Sequence, residues 1–174
     1  MSIPNLFYFI KPEDLTSLIN ELEKKEPIEI LTKYSVPCDI AYNYTYFTLD
    51  YFNFLLQPFQ LALKDKNIEF IGESFMDGLP DYIKKFTKEW ELLDVVTPER
   101  AKNIQKSTKD LSIEDVITKE EILQNKYLSG QSRYTNPEGI EEFYKDLTVT
   151  YQLVKKLIDY SVKNSLTLLM LNWT

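Results

Sequence analysis

Residues 137–173 read PEGIEEFYKDLTVTYQLVKKLIDYSVKNSLTLLMLNW, a long amphipathic segment that runs directly into a short apolar one. In the first segment, apolar side chains recur at steps of four and three, the period that places them on one side of a helix. They are Ile140, Tyr144, Leu147, Tyr151, Val154 and Ile158. The second segment, 166–173, is apolar nearly throughout at strand length, as in a strand whose two faces are both covered. The pattern predicts a helix over 137–163 that packs against a sheet with a central C-terminal strand.

The two ends of this helix carry residue types that favour helix termini. Asn136 is predicted as the N-cap and Asn164 as the left-handed residue that stops the helix. Acids cluster in the first turns and lysines in the last, where the helix dipole stabilises each charge. The acids are Glu138, Glu141 and Glu142, and the lysines are Lys155, Lys156 and Lys163.

Shorter patterns toward the N-terminus predict the outer elements. Leu6–Ile10 is an aromatic and apolar run before Lys-Pro, which indicates a buried strand. A helix is predicted after it, because Pro12 suits a first turn and one apolar stripe follows. The stripe consists of Leu15, Leu18, Ile19 and Leu22. Residues 68–71 alternate with period two and stop at Gly72, which predicts a half-buried strand.

The middle of the chain predicts an extended segment and three helices. Val95 and Val96 favour an extended entry into a helix that Thr97 caps, with Pro98 in the first position. Short helices are expected over 112–117 and 119–128, and Thr118 with Glu121 forms a capping box at the start of the second. The expected fold class is α+β, a small mixed sheet covered by several helices, in a single domain that spans 1–174.

Aromatic residues are densest over 42–59, where they number eight. They are Tyr42, Tyr44, Tyr46, Phe47, Tyr51, Phe52, Phe54 and Phe59. Tyr44, Phe47, Tyr51 and Phe54 recur at helical steps, so they are interpreted as one side of a core helix. An aromatic surface that stacks on a ligand stays open as the alternative.

Several kinds of chemistry lack their residues in this chain. There is no histidine, which removes His general bases, Ser-His and Cys-His nucleophile pairs, and ordinary zinc sites. The four glycines match neither phosphate-loop spacing, and Cys38, the single cysteine, is predicted to be a buried, inert thiol. We therefore expect no catalytic residue, no metal site and no cofactor.

Paired carboxylates are the enzyme chemistry that stays possible. Glu73 with Asp77, or Glu89 with Glu91, could supply two acids to a glycosidase-like cleft, although solvated acids are the simpler interpretation. Lysines 84, 85 and 88 could be taken as a nucleic-acid patch, but nearby acids leave a weak local field.

The net charge indicates the kind of partner. A formal charge of −7 opposes binding to a phosphate backbone, so no nucleic acid is expected, and it favours encounter with a basic protein. The N-terminal 15 residues lack a basic leader region and a span-length apolar run, so we expect a cytoplasmic protein without a membrane partner.

The order of these features resembles the YfbM-like family of small bacterial proteins of unknown function. The resemblance is carried by LFYFIKPEDL at the start, by the aromatic segment that Cys38-Asp39-Ile40 opens, by Thr97-Pro98-Glu99, and by the long Glu-rich helix with its closing strand. It implies a single α+β domain with no catalytic residues to transfer, among proteins encoded with toxin and immunity genes. The chain departs from the family where a tryptophan or histidine is often found, since it has Tyr42, Asn43, Tyr44, Tyr51 and Asn53.

The leading hypothesis is a non-enzymatic protein-binding module, an immunity-type protein that binds and neutralises a basic bacterial toxin. Acidity, missing catalytic residues and surplus tyrosine, which is enriched in interfaces, favour it. The protein-binding candidates are Glu120, Glu121, Glu138, Glu141, Glu142, Tyr42 and Tyr46. One alternative is a carboxylate- or tyrosine-dependent enzyme acting on a small molecule or glycan. Another is a structural homo-oligomeric subunit, such as a homodimer with a two-fold patch.

Overall fold

The computed structural model describes residues 6–22, 27–38, 40, 49–71, 90–124, 126–127 and 137–173. In these ranges the strands are β1 (Leu6–Ile10), β2 (Ser35–Val36), β3 (Trp90–Val96) and β4 (Thr167–Trp173). The helices are α1 (Leu15–Leu22), α2 (Pro27–Tyr34), α3 (Leu49–Asp65), α4 (Pro98–Thr108), α5 (Ile113–Val116), α6 (Lys119–Leu123) and α7 (Pro137–Asn164), with a short 3₁₀ turn at Pro12–Asp14. The prediction of an α+β fold with a long helix before a C-terminal strand is confirmed.

The four strands form one sheet in the order β2-β1-β4-β3. Every pairing in the described ranges is antiparallel, whereas a mixed sheet was expected. The last strand, β4, lies between β1 and β3, so its backbone groups are paired along both edges. Its central position is the one that the unbroken apolar sequence predicted.

Helices cover both faces of the sheet. Successive β4 side chains point to opposite faces, and they pack into two different cores. Leu168 lies opposite Phe9 and Val96, and all three belong to the larger core with α3, α4 and α7. Leu169 lies opposite Val95 and packs with the smaller core under α1 and α2. The architecture is therefore three layers, α1–α2 over the sheet over α3, α4 and α7.

A bulge in β3 brings a carboxylate into the larger core. Leu92 lies opposite Leu171 and Asp94 opposite Met170, so Leu93 is an extra residue in the ladder. An extra residue reverses which side each later side chain faces. Asp94 consequently shares the face of Met170 and is fully buried on the side of α4.

Arg100, in the first turn of α4, neutralises this buried charge. Its guanidinium donates to Asp94 and, at 2.7 Å, to Glu69, and it also donates to the backbone carbonyls of Phe70 and Val95. Its side chain is only 11% exposed. One arginine thus joins β3, α4 and the segment that follows α3.

The same arginine explains why the predicted strand over 68–71 is wrong. This segment has no regular strand structure, although Phe70 and Ile71 are fully buried. Arg100 binds the Phe70 carbonyl at 2.9 Å and Gln60 binds the Ile71 carbonyl at 3.1 Å. In a sheet, the N–H groups of a neighbouring strand would bind the Phe70 and Ile71 carbonyls, but here the Arg100 and Gln60 side chains bind them.

Other sequence predictions are corrected in detail. The left-handed residue after α7 is Ser165, with φ of 53°, and not Asn164, which ends the helix and donates to the Tyr160 carbonyl. Cys38 is half-buried against the larger core, where a buried thiol was expected. The aromatic helix is present as α3, but it extends to Asp65 through an internal Pro58.

Several predictions lie outside the described residues. These are the Asn136 cap, the carboxylate pair of Glu73 with Asp77, Glu89 of the pair with Glu91, and the lysine group over 84–88. The early part of the aromatic segment, including Tyr44 and Phe47, also lies there.

Residues 98–123 run antiparallel along α7. We call the surface that these residues form together with α7 the α4–α7 strip. Three donor side chains of α7 bind backbone carbonyls of this segment: Lys155 binds Lys109, Tyr151 binds Leu111 and Tyr144 binds Ile117. At the two ends of the strip the direction is reversed, because Gln105 donates to the Asp159 carboxylate and Lys119 donates to the Glu141 carboxylate. The strip places α5 and α6 beside the N-terminal half of α7.

Candidate functional site

An acidic surface is formed by residues 110–121. This stretch holds five carboxylates and one lysine, a local charge of −4 within a chain of −7. It forms α5, α6 and the turns around them, beside the start of α7. More than half of the net charge is thus concentrated at one end of the α4–α7 strip.

Two capping boxes fix the shape of this surface. The Asp115 carboxylate accepts from the Ser112 N–H at 2.8 Å, and the Ser112 hydroxyl accepts from the Asp115 N–H. Thr118 and Glu121 exchange the same pair of bonds at the start of α6. Both boxes satisfy backbone donors that a helix N-terminus leaves unpaired.

The caps hold these two acids in their charged form. Hydrogen bonds from the Ser112 backbone and hydroxyl lower the pKa of Asp115. The pKa of Glu121 is lowered by its hydrogen bond to Lys126, at 2.8 Å, and by the Thr118 N–H. At neutral pH both carboxylates are ionised, and they accept hydrogen bonds from their own capping boxes.

These lowered pKa values predict a loss of stability in acid. A carboxyl with a depressed folded-state pKa binds protons more readily in the unfolded chain, so its contribution is complete above the unfolded value of about 4 and is lost as pH falls through the folded value. We expect the variant Asp115→Asn/Glu121→Gln to lose less unfolding free energy than wild type between about pH 5 and pH 2, measured by urea unfolding. Glu142→Gln is the control outside the caps, and equal slopes for wild type and the double variant would contradict the prediction.

Glu114 and Glu120 project from α5 and α6 near Tyr144 of α7. Both glutamates are exposed, while Tyr144 is buried and its hydroxyl donates to the Ile117 carbonyl at 3.1 Å. Burial, together with the charges of Glu114 and Glu120, raises the pKa of Tyr144 to about 12. The tyrosine stays a neutral donor that holds α5 and α6 in place beneath the two acids.

Glu141 and Glu142 extend the acidic surface onto α7. Both are exposed, and Lys119 binds the two oxygens of Glu141 at 2.7 Å. Lys119 also lies 5.3 Å from the centre of the Tyr144 ring. We call the exposed carboxylates Glu114, Glu120, Glu141 and Glu142 the acidic edge.

The sequence-predicted binding residues are placed as follows. Glu120, Glu141 and Glu142 are exposed on the acidic edge. Glu121 is half-buried in its capping box and paired with Lys126, so it contributes to the shape of the surface. Nothing is described of Tyr42, Tyr46 or the Glu138 side chain.

Glu114 was missed by sequence reasoning. A usable signal existed, because Ser112 followed three residues later by Asp115 has the spacing of a capping box and places Glu114 in the first turn of a short helix. Its closeness to α7 had no local signal, since it depends on contacts between residues far apart in the chain.

A groove between α4 and α7 carries the opposite charge. Its volume is about 390 Å³. It is lined by Gln105, Lys106, Thr108, Lys109, Lys155, Ile158 and Asp159, and we call it the basic groove. Lys155 donates to the carbonyls of Thr108, Lys109 and Leu111 at 3.0 to 3.3 Å, which neutralises the C-terminal end of α4. The exposed cations of the groove are therefore Lys106 and Lys109.

The enzyme alternative requires two convergent acids in a cleft, with a raised pKa on one of them. The basic groove contains one carboxylate, Asp159. Asp115 and Glu121 both have lowered pKa values, the opposite of the shift that such an acid requires. Within the described ranges no group of three potential metal ligands is found. A separate cluster joins α1 to α2, where the Glu21 carboxylate lies 2.6 Å from the Lys33 ammonium and 2.5 Å from the Tyr34 hydroxyl. In the described part of the chain, this cluster also contains a single carboxylate.

Comparison with known proteins gives no relative. No family model, curated protein or solved structure matches the chain. The resemblance to the YfbM-like family therefore stays a prediction. Of the helices that the structure describes, none combines the length and the apolar character needed to cross a membrane.

Proposed function

We propose that this protein is a non-enzymatic binding module that uses the acidic edge to bind and neutralise a basic toxin, as immunity proteins do. The observation that carries the proposal is the concentration of exposed carboxylates on α5, α6 and the start of α7. The cytoplasmic location and the YfbM-like relationship belong to the same proposal.

Lys119, Lys126 and Lys66 offset part of the charge of this surface. Within the described residues, however, their ion pairs involve Glu141 and Glu121 and leave Glu114, Glu120 and Glu142 to a partner. Lys119 is the one lysine within 110–121, and it binds Glu141. Glu114 and Glu120 both lie near Tyr144, so their fields add over one surface, and Glu142 is a further exposed acid in the first turns of α7. Such a surface accelerates encounter with a cationic protein and disfavours anionic ones.

The surface is also preorganised for binding. Each short helix is capped at its start, and donors from α7 hold the carbonyls behind it. Lys66 of α3 adds a third support, because its ammonium donates to the carbonyls of Asp115 and Val116. A rigid surface loses less conformational entropy on association, which favours tight binding.

Capture from a lysate of the source organism tests the proposal. The immobilised protein is expected to retain one basic polypeptide in near-equal amount, released by high salt because ionic strength screens exposed charges. Co-expression with that polypeptide should then protect cells from its toxicity. A retained polypeptide whose toxicity is unaffected by co-expression would contradict the immunity part of the proposal.

A further inference from the structure

We propose that two copies of this chain pair through the α4–α7 strip, with the acidic edge of each copy on the basic groove of the other. The inference does not depend on toxin binding, although it uses the same acidic edge. A toxin bound there would therefore displace the second copy.

The charges of the strip are segregated along its length. On the surface, residues 98–109 hold one acid and three lysines, a charge of +2, because Arg100 is largely buried against Asp94. Residues 110–121 have a local charge of −4. Because 98–123 runs antiparallel to α7, the basic groove lies beside the C-terminal half of α7 and the acidic edge beside its N-terminal half. The strip therefore has a basic half and an acidic half.

A two-fold axis across the middle of the strip would satisfy both ends at once. Fourteen residues separate Glu141 from Lys155, which at 1.5 Å per residue is about 21 Å between the two ends. In a two-fold dimer the acidic end of each copy then faces the basic end of its partner, and residues at the axis meet their own counterparts. Antiparallel pairing is the arrangement in which neither end is left unpaired.

The centre of the strip is suited to such an axis. On α7, residues 147–154 contain no charged residue that would face its own counterpart. Gln152 is exposed and Thr148 is half-buried in this stretch, so the α7 groups that would meet are uncharged and polar. On the neighbouring segment the exposed Asp110 lies 3.7 Å from Lys109, so its charge is paired within its own chain. Like-charge repulsion at the axis is therefore reduced.

The size of the strip indicates a weak dimer. From residue 141 to 159 it is about 27 Å long, and two helices side by side are about 20 Å wide, so each copy would bury roughly 500 Å². The total lies at the low end of interfaces, where association is transient. At about 0.15 M salt the Debye length is near 8 Å. Opposite charges in contact across the interface therefore still attract each other, whereas repulsion between the net charges of the two copies is largely screened.

Sedimentation equilibrium of the purified chain at low and high salt tests the pairing. At low salt and high protein concentration, the weight-average mass should rise toward twice the 20.6 kDa of one chain, and about 1 M salt should return it to one chain. A monomer at every concentration and salt would overturn the proposal, while leaving toxin binding untouched. A mass that rises past two chains would overturn the two-fold closure.

Charge reversal at either end gives the decisive comparison. Glu114→Lys/Glu120→Lys raises the charge of residues 110–121 from −4 to 0, and Lys106→Glu/Lys109→Glu lowers the surface charge of residues 98–109 from +2 to −2. Each variant alone should be monomeric, because its reversed residues would face residues of the same sign across the axis. An equimolar mixture should form a heterodimer, because the reversed residues of the two variants have opposite signs and would face each other.

Reversal of Glu13 and Glu29, exposed beside α1 and on α2, is the matched control and should leave the dimer unchanged. Circular dichroism of each variant confirms the fold before the masses are compared. A mixture that stays monomeric, or single variants that dimerise like wild type, would overturn the proposal.

Discussion

Arg100→Met is expected to lower the free energy of unfolding by about 3–5 kcal/mol, the cost of removing one member of a buried ion pair. Asp94 is fully buried on the core side of β3, and the Arg100 guanidinium binds its carboxylate. The same substitution removes the donor to the Phe70 carbonyl, so the segment after α3 loses an anchor as well. Urea unfolding measured at neutral pH gives the difference.

Two further variants separate charge from packing at this position. Lys102→Met, on the exposed side of α4, is the matched control and should change stability by less than about 0.5 kcal/mol. Asp94→Leu/Arg100→Met removes both charges, and it should be more stable than Arg100→Met alone because no uncompensated charge stays buried. An Arg100→Met protein as stable as wild type would refute the buried ion pair.

Leu168→Ala and Leu169→Ala are each expected to lower the free energy of unfolding by about 2–5 kcal/mol, as for other buried leucines. The two residues are neighbours on β4 but belong to different cores, one under α7 and the other under α1 and α2. A sheet covered on one face would give one large and one small effect. Two large effects are the signature of a central strand between two helical layers.

Leu123→Ala is the matched control for this pair. Leu123 is 44% exposed at the end of α6, so its truncation should cost well under 1 kcal/mol. If either β4 variant were as mild as this control, the three-layer arrangement would be wrong on that face.

Elements with a long repeating pattern could be predicted from the sequence. The helix over 137–163 was expected within one residue of α7, and β4 was expected as a central strand from its apolar run. The caps Thr97 and Thr118 were also predicted, because capping depends on residues only three positions apart. In each case the determining interactions lie within one segment.

Features that depend on distant residues could not be predicted. The segment over 68–71 alternates as a strand does, but Arg100, about thirty positions later, takes the Phe70 carbonyl. The bulge at Leu93 has no local signal, and it decides which core receives Asp94. Tertiary contacts outweighed local pattern at both places.

The candidate site shows the same division. Exposed acids at Glu120, Glu141 and Glu142 were expected from their places in the first turns of helices. They form one surface because Tyr144 of α7 binds Ile117 after α5 and Lys119 of α6 binds Glu141 of α7, contacts that no sequence spacing encodes. The aromatic part of the expected face, Tyr42 and Tyr46, lies outside the described residues.

The most direct test of the proposed binding module is the rate at which the captured basic polypeptide associates with wild type and with Glu114→Lys/Glu120→Lys/Glu142→Lys. Reversing exposed charges on the acidic edge should slow association about tenfold or more at low salt, with little change in the dissociation rate. Glu13→Lys/Glu29→Lys carries reversed charges on the opposite layer and should retain at least most of the wild-type rate. An acidic-edge variant that associates as fast as this control would show that the acidic edge is not the binding surface.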